Sequence, residues 1–494
     1  MSPPPEEDTF YNFFKAKYTT KYLEKYVDEH VYDGKTLRER MIFDFTVQTV
    51  KKEGALWVIR GTQVAYRAPK LIVAAGITSS ANLPSVRGME NAEMPIIHQG
   101  RFGQSPVLTS DRYEKVTVIG GGKSAADMVY ACVGAGKSVT WVIRKSGSGP
   151  GFLLSAKGKG PYKSSFELGS CRAVATFSPS IFSPDTWWTG FLHRTNLGQK
   201  IVNALWAGID QGTRADANYD GRENALEGFK NLNPYTPLFW QNGTGGLLNR
   251  RDFWDIVAPN VQVYLDDLHH IERDVLHLAS GDRVESDVLL CGTGWNTAFF
   301  DFMEPNERVR LGLPHPLEDE SPAINGIWKT LEEKEDRKIL QKFPMLATPP
   351  EHLHKSSKAT PYRLYNGIGP IQNDSIAFIG YLATANYFVG VECQAIWATA
   401  FLDKKLSLPS VEEQQAQVAR QNVFCRRRYL SGGERGNFFP FESHFYEDTL
   451  LKEVGLSSHI KGWVPRYFSP VSARDMSGLK DEYIKKYHDG IMQH

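Results

Sequence analysis

The sequence predicts an α/β fold built from parallel strands and the helices that cover them, and two features predict it. Short apolar runs rich in β-branched residues end on glycine at 70–76, 288–292 and 375–380, as buried parallel strands do. In addition, Val116–Asp127 passes from an apolar strand through three glycines into a helical pattern. The length of 494 residues allows about two to four domains of about 100–200 residues each.

Composition excludes several classes of protein. The chain carries 57 Lys+Arg and 56 Asp+Glu, so the net charge of +1 gives no electrostatic case for binding nucleic acid. No apolar run reaches the roughly 18 residues of a membrane span, and the acidic, proline-rich start MSPPPEE is unlike a signal peptide. We therefore expect a cytoplasmic protein, and the sequence leaves its oligomeric state open.

The pattern also predicts no metal site. The 5 cysteines are scattered without a CxxC pair, which is typical of reduced thiols rather than of a zinc site or disulfide framework. His269 and His270 have only Asp266 nearby in ligand spacing.

Secondary structure follows from periodicity and from turn residues. Apolar residues three and four apart predict helices, and β-branched runs between glycine turns predict strands. In chain order these patterns predict a helix at 18–30, strands at 41–50, 56–60, 63–68 and 70–76, a strand–helix–strand unit at 116–119, 124–134 and 138–143, helices near 198–208 and 222–230, strands at 261–265, 275–278 and 287–291, a solvated helix face at 332–337, a strand at 375–380 and a helix at 390–402. The residues after 402 show no clear period.

The most specific signal is a G-x-G-x-x-A fingerprint between the strand at 116–119 and the helix at 124–134. Gly120 allows the tight turn, Gly122 lets the backbone approach a pyrophosphate, and Ala125 permits close packing of helix on strand. We expect the nucleotide phosphates to be held by Gly120, Gly121, Gly122, Lys123, Ser124 and Ala125, at the positive end of the helix dipole. The alternative is a glycine-rich turn kept only for packing.

The next strand predicts which dinucleotide binds. It ends in Arg144 and Lys145, where an NAD or FAD site usually places an Asp or Glu for the ribose hydroxyls. A guanidinium there suits a 2′-phosphate, so NADPH is favoured over NADH. The alternative is a solvated strand end that carries incidental basic residues.

Three strand ends carry a resemblance to a known family. Val73–Gly76 and Leu289–Trp295 resemble the junctions at which two-dinucleotide-fold flavoproteins cross between their FAD and NADP domains. Phe378–Gly380 leads into a helix with Gln394 and Trp397, which is similar to the late flavin-contacting strand and helix of the flavin-containing monooxygenases. The match is to that family, and especially to its fungal, biosynthetic branch.

The resemblance implies two Rossmann-like domains, with an NADP domain inserted into a discontinuous FAD domain. It places a partial FAD domain at 1–113, an NADP domain with an irregular insertion at 114–260, the return to the FAD domain at 261–405 and a C-terminal extension at 406–494. It implies a monooxygenase of secondary metabolism that uses FAD, NADPH and O2 on a small organic substrate. By the same resemblance the flavin lies near Ala75, Gly76, Thr293, Gly294 and Gly380, and no catalytic residue is assigned. A flavin reductase of the disulfide type is disfavoured because no CxxC occurs, and a non-catalytic NADP-binding protein is the other alternative.

The sequence departs from the family at its start. Gly34 is the only glycine among the first 50 residues, so the pattern lacks the GxGxxG turn and first βαβ unit that bind FAD in the family. A gene model truncated at its 5′ end, a partner that supplies the strand, or a degenerate protein would each explain this, and we favour the first. We therefore expect Val73 and its neighbours to lack a strand partner, and the chain as given to bind FAD poorly and to aggregate.

Overall fold

The computed structural model of the protein describes residues 4–240, 245–248, 250–296, 300–351 and 357–488. Its strands of three or more residues, numbered in chain order, are β1 (Thr49–Glu53), β2 (Leu56–Arg60), β3 (Ala65–Ala68), β4 (Leu71–Val73), β5 (Ile96–His98), β6 (Lys115–Ile119), β7 (Ser138–Ile143), β8 (Leu153–Ser155), β9 (Gly246–Leu248), β10 (Val261–Leu265), β11 (Leu268–Glu272), β12 (Val275–Leu278), β13 (Arg283–Glu285), β14 (Val288–Cys291) and β15 (Ile376–Phe378). Its helices of eight or more residues are α1 (Lys17–Glu29), α2 (Lys123–Gly134), α3 (Trp187–Arg194), α4 (Asn196–Ala217), α5 (Phe253–Asn260), α6 (Pro322–Lys342), α7 (Tyr387–Leu402), α8 (Val411–Arg428), α9 (Ser443–Val454) and α10 (Leu479–His488).

The strand–helix–strand unit predicted at 116–143 is confirmed as β6, α2 and β7. The predicted solvated helix face at 332–337 is wrong in part, because Glu335 is fully buried where α6 packs on α8 and pairs with Arg420. Two other predicted elements are wrong. Residues 41–48 form no strand, because Asp44 adopts a φ of +57° and the ladder with β2 begins only at Thr49. No α-helix spans 222–230, where Asn224 and Gly228 have φ values of +60° and +91° that a right-handed helix does not allow.

The largest sheet is five-stranded and parallel, in the order β10-β7-β6-β14-β5. Strand β6 is central, and every residue of it after Lys115 is buried. The chain order reverses between β6 and β14, since β7 and β10 follow on one side and β14 lies on the other. In parallel sheets this reversal leaves a crevice at the carboxyl ends of the strands, where ligands bind.

Different structures cover the two faces of this sheet. On one face α2 and α5 pack through Val129 and Val257 onto the sheet residues Val116 and Leu290. On the other face lies the antiparallel meander β11-β12-β13, whose buried side chains include Ile271, Leu276 and Val284. Both faces of the sheet are therefore buried, which explains why its strands are continuous apolar runs.

A second parallel pair consists of β4 and β15. The N–H of Leu71 donates to the carbonyl of Ser375, and the N–H of Ile379 donates to that of Val73, at 3.0 Å each. The expectation that Val73 would lack a partner is therefore wrong, because β15 supplies one. Successive residues of a parallel strand direct their backbone N–H and C=O groups to opposite sides. Those of Ile72 therefore point away from β15, to an edge of β4 that no strand of the described residues covers.

The residues after 402 are largely helical, and their helices contribute buried side chains to the largest core cluster. Helices α8 and α9 pack with α7 through Phe424, Leu450 and Trp397. Their pattern is obscure in the sequence because α8 also buries polar side chains, among them Gln421 and Arg428. Among the described residues, no helix is both long and apolar enough to cross a bilayer.

The open edge of β4 generates a prediction about self-association. Ile72 is 40% exposed at this edge, and a lysine on an edge strand opposes strand addition by another molecule. We expect Ile72→Lys to reduce aggregation, measured by light scattering during incubation, while unfolding free energy changes by no more than about 0.5 kcal/mol. Val64→Lys, at an exposed position outside the strands, is the matched control. Equal aggregation of both variants would contradict the assignment of this edge as the surface through which the molecules associate.

Candidate dinucleotide-binding site

The turn between β6 and α2 requires glycine at its first position. Gly120 has a φ of +127°, and a Cβ there would lie 2.2 Å from the carbonyl oxygen of Gly292. Its own carbonyl accepts a hydrogen bond of 2.6 Å from the indole N–H of Trp141, and its N–H donates to Val142 at 3.0 Å. The turn is thus held firmly against β7.

The amino end of α2 offers a row of free N–H groups. Gly122 is the N-cap and has no side chain to cap the helix, and the first helical bond runs from Ala126 to Gly122 at 3.1 Å. In the described chain the N–H groups of Lys123, Ser124 and Ala125 meet no acceptor. Unpaired N–H groups at the positive end of a helix dipole form an anion site. The Lys123 ammonium itself is paired with Asp127.

A glycine-rich segment, Ser146–Gly151, lies over this turn, and we call it the strap. The N–H of Gly151 donates to Gly121 at 2.6 Å, and a Cβ on Gly121 would lie 2.5 Å from the carbonyl oxygen of Gly149. The ring of Tyr235 rests on Gly149, which has a φ of +72°. Sequence reasoning did not identify the strap, although the run GSGPG after β7 is a signal for it.

The end of β7 presents two unpaired basic side chains. Arg144 and Lys145 are exposed, and neither side chain has a hydrogen bond or an ion pair with any described residue. The neighbouring acids are engaged elsewhere: Asp267 accepts from the backbone and hydroxyl of Ser146, and Asp266 accepts from the N–H of Ser280. Arg144 is therefore available to an anionic ligand.

The electrostatics of Asp266 fit the same arrangement. Burial raises the pKa of Asp266, but hydrogen bonds from Ser280 and from the N–H of Asp267, together with the charge of Lys145, outweigh this and lower it. Asp266 is thus ionised at neutral pH, and its carboxylate already accepts hydrogen bonds from the N–H groups of Asp267 and Ser280. It is not a free acceptor for ribose hydroxyls.

The switch point of the sheet brings the turn against the loop after β14. The N–H of Gly292 donates to Ile119 at 2.8 Å, and a Cβ at Gly292 would lie 2.7 Å from that of Ala125. Ala125 is completely buried at this contact. Small residues at all three positions, Gly120, Ala125 and Gly292, allow the two strand ends and the helix to meet.

Thr293 and Gly294 continue into a segment that pairs with the connector after β4. Asn82 donates from its backbone to Gly294 at 3.2 Å and from its side chain to Thr293 at 3.1 Å. The buried His98 joins the same loop. Because its Nδ1 accepts from the N–H of Gly100, its Nε2 carries the proton and donates to Gly294 at 2.7 Å. His98 thus holds the loop in place.

The remaining predicted site residues lie at the ends of β4 and β15. Ala75 and Gly76 follow β4, and Gly380 follows β15, so the pairing of these strands brings them to the same edge. Gly380 has a φ of +81°, and its N–H donates to the buried Gln394 amide oxygen at 2.8 Å. The amino end of α7 beside it has no side-chain cap.

These residues fit the two dinucleotides unequally. The turn, the free N–H groups of α2 and Arg144 fit NADP, since each offers a donor that the described chain leaves unpaired. The uncapped end of α7, with Gly380, fits the flavin portion of FAD. The described residues before β4 contain no glycine-rich strand–turn–helix unit for the adenosine portion.

Three comparisons place this geometry among known proteins. A model of the pyridine nucleotide-disulphide oxidoreductase family matches residues 9–152. A FAD-dependent monooxygenase of Pyrenophora dematioidea is 31% identical over 422 residues, which are 82% of this chain and 76% of that protein. The FAD-dependent monooxygenase resA of Aspergillus sclerotiorum is 30% identical over 475 residues, which are 91% of this chain and 82% of that protein.

Solved structures show the same fold. Cyclohexanone monooxygenase in its closed form aligns with a TM-score of 0.54 at 14% identity, over 89% of this chain and 83% of that one. The enzyme from Rhodococcus sp. Phi1 bound to NADP+ aligns with a TM-score of 0.51 at 15% identity, over 87% and 81% of the two chains. The predicted α/β fold with two Rossmann-like domains is confirmed at this level.

The crowding at Gly120 generates a stability prediction. Gly120→Ala places a Cβ against the Gly292 carbonyl and forces an unfavourable φ, so we expect a loss of about 1–3 kcal/mol in unfolding free energy. Gly134→Ala in the same helix unit meets open space and serves as control, with an expected change of at most about 1 kcal/mol in the stabilising direction. Urea denaturation measures both values, and equal stability of the two variants would contradict the steric account.

Proposed function

This chain belongs to the fungal FAD-dependent monooxygenases, and we propose that it binds NADPH at the β6–α2 turn and uses it to oxygenate a small organic substrate of secondary metabolism. FAD and NADP are its cofactors. The non-catalytic alternative is not favoured, because relatives that are 31% and 30% identical over 82% and 91% of this chain are named as monooxygenases. The substrate class and the residues of the site are part of the proposal.

One observation carries the assignment of the NADPH site. The unpaired N–H groups at the start of α2 and the unpaired Arg144 guanidinium lie at the carboxyl ends of adjacent strands. The pyrophosphate would take the N–H groups and the 2′-phosphate would take Arg144, as a charge-assisted pair. The strap would cover the phosphates and exclude water.

The chain's own residues would position the flavin and keep it dry. Ala75 and Gly76 would lie against the ring system, since they have little or no side chain to obstruct it. Gly380 would join them where the Tyr387 ring, whose hydroxyl donates to the Gly380 carbonyl at 3.2 Å, moves aside. Thr293 and Gly294 would lie where the chain returns from the NADP domain. When bound, FAD supplies the electron transfer from NADPH to O2, after which one oxygen atom enters the substrate and the other leaves as water. No acid, base or nucleophile from the protein is assigned.

The cysteines argue against thiol–disulfide chemistry, the other activity that the matched family name suggests. All 5 are buried as free thiols. Burial raises the pKa of Cys132 and of Cys291 to about 12, so neither forms a thiolate at neutral pH.

Cofactor preference tests the role of Arg144. We expect NADPH to bind more tightly than NADH, and Arg144→Ala to lose about 1–3 kcal/mol of that preference, the scale of a charge-assisted hydrogen bond. Arg283→Ala, another exposed arginine at the start of β13, is the control and should leave the preference unchanged. Fluorescence titration with both nucleotides gives the dissociation constants. Equal dissociation constants of the wild type for NADPH and NADH would refute the assignment of Arg144 to the 2′-phosphate.

Flavin reduction tests the function as a whole. With FAD added in excess, we expect NADPH to bleach the flavin absorbance anaerobically, and admission of O2 to restore it. Gly122→Val should block bleaching by NADPH, because the side chain obstructs the pyrophosphate, while dithionite still bleaches the same variant. A wild-type flavoprotein that NADPH cannot reduce would contradict the function, and a reducible Gly122→Val variant would contradict the site.

A further inference from the structure

The meander that covers the parallel sheet carries an outward-facing group of ligand side chains. Along β11 and β12, Ile271 and Leu276 point into the core. Because side chains alternate along a strand, His270 and Glu272 face outward from β11 and His277 faces outward from β12. His270 and His277 are directly opposite each other in the ladder.

The three side chains are close enough to share one ion. One ligand atom from each of His270, Glu272 and His277 lies within 4.8 Å of the others. The imidazole rings of the histidines are stacked, at 10° with centroids 4.1 Å apart, so the His270 ring must turn before the in-plane lone pairs of both rings can reach one ion. His277 Nε2 is 3.5 Å from Glu272 Oε2. Two ligand atoms on a tetrahedral Zn²⁺, each at about 2.0–2.1 Å, are separated by about 3.4 Å, so the histidine–glutamate pair already has this spacing.

One of these atoms is a buried polar atom with no hydrogen-bond partner. His277 Nε2 is inaccessible to solvent and makes no hydrogen bond with any described group, and its contact with the Glu272 carboxylate is long, at 3.5 Å. An unpartnered buried nitrogen costs free energy, and a metal ion would satisfy it.

A neighbouring histidine orients the group. The pairing register shifts between Leu268 and His270, so His269 is an extra residue in β11. Its Nδ1 lies 2.8 Å from Nδ1 of His270, which engages that nitrogen and leaves Nε2 of His270 as the ligand atom.

We propose that His270, Glu272 and His277 form a binding site for one divalent transition-metal ion of the Zn²⁺ class, with water completing its coordination. Two imidazoles and a carboxylate suit Zn²⁺, Co²⁺ or Ni²⁺ and not Mg²⁺, which prefers oxygen ligands. The ion would cross-link β11 and β12. The sequence predicted no metal site because the register that brings His277 beside His270 is not visible in residue spacing.

Calorimetric titration of the full chain, tag-free and stripped with chelator, tests this site with Zn²⁺ as the probe. We expect one equivalent to bind, and His277→Asn and Glu272→Gln each to weaken that binding at least about tenfold. His30→Asn removes a histidine from the end of α1, far from the group in sequence, and should bind as the wild type does. Circular dichroism confirms that each variant is folded.

A second measurement needs no variant. Co²⁺ bound to the wild type should give the strong visible absorption of a four-coordinate site, and excess Zn²⁺ but not Mg²⁺ should abolish it. The proposal is overturned if Zn²⁺ fails to bind the wild type, if the folded ligand variants bind as tightly as His30→Asn, or if Mg²⁺ displaces Co²⁺ equally well.

Discussion

The close contact of Gly120, Ala125 and Gly292 is the constraint on which the nucleotide site depends. The two central strands of the parallel sheet end side by side there, and a Cβ on either glycine would collide with the other chain segment. Side chains this small let β6 turn directly into α2 while β14 passes beside it. The same crowding leaves the first N–H groups of α2 facing the crevice, with no side chain between them and a ligand.

A second constraint fixes how the chain crosses between the five-stranded sheet and the β4–β15 pair. The outgoing connector near Asn82 and the returning loop at Thr293–Asn296 lie beside each other and share backbone and side-chain hydrogen bonds. His98, at the end of the edge strand β5, ties the returning loop to the large sheet. The strand ends proposed to contact the flavin and the crevice proposed to hold NADP are thereby connected by two hydrogen-bonded segments rather than by one.

The parts that sequence predicted are those encoded locally. The β6–α2–β7 unit needs only an apolar strand, a glycine turn and an alanine-containing helix within a short stretch, and all are visible in residues 116–143. The strap could not be predicted from the sequence, because it depends on the contact of Gly149 with Gly121, which lie in different loops. The group of His270, Glu272 and His277 could not be predicted from the sequence, because it depends on the pairing register of β11 with β12. Helix α8 was not predicted because it buries polar residues such as Gln421, which obscure the periodicity of its apolar face.

Hydrogen–deuterium exchange with and without NADP+ tests the central claim most directly, because the site is assigned from backbone N–H groups without acceptors. Bound nucleotide should slow exchange at Gly122–Ala125 and across the strap, Ser146–Gly151, while the meander β11-β12-β13 exchanges as before. Protection that leaves the amino end of α2 unchanged, despite saturating NADP+, would contradict the account and place the nucleotide elsewhere.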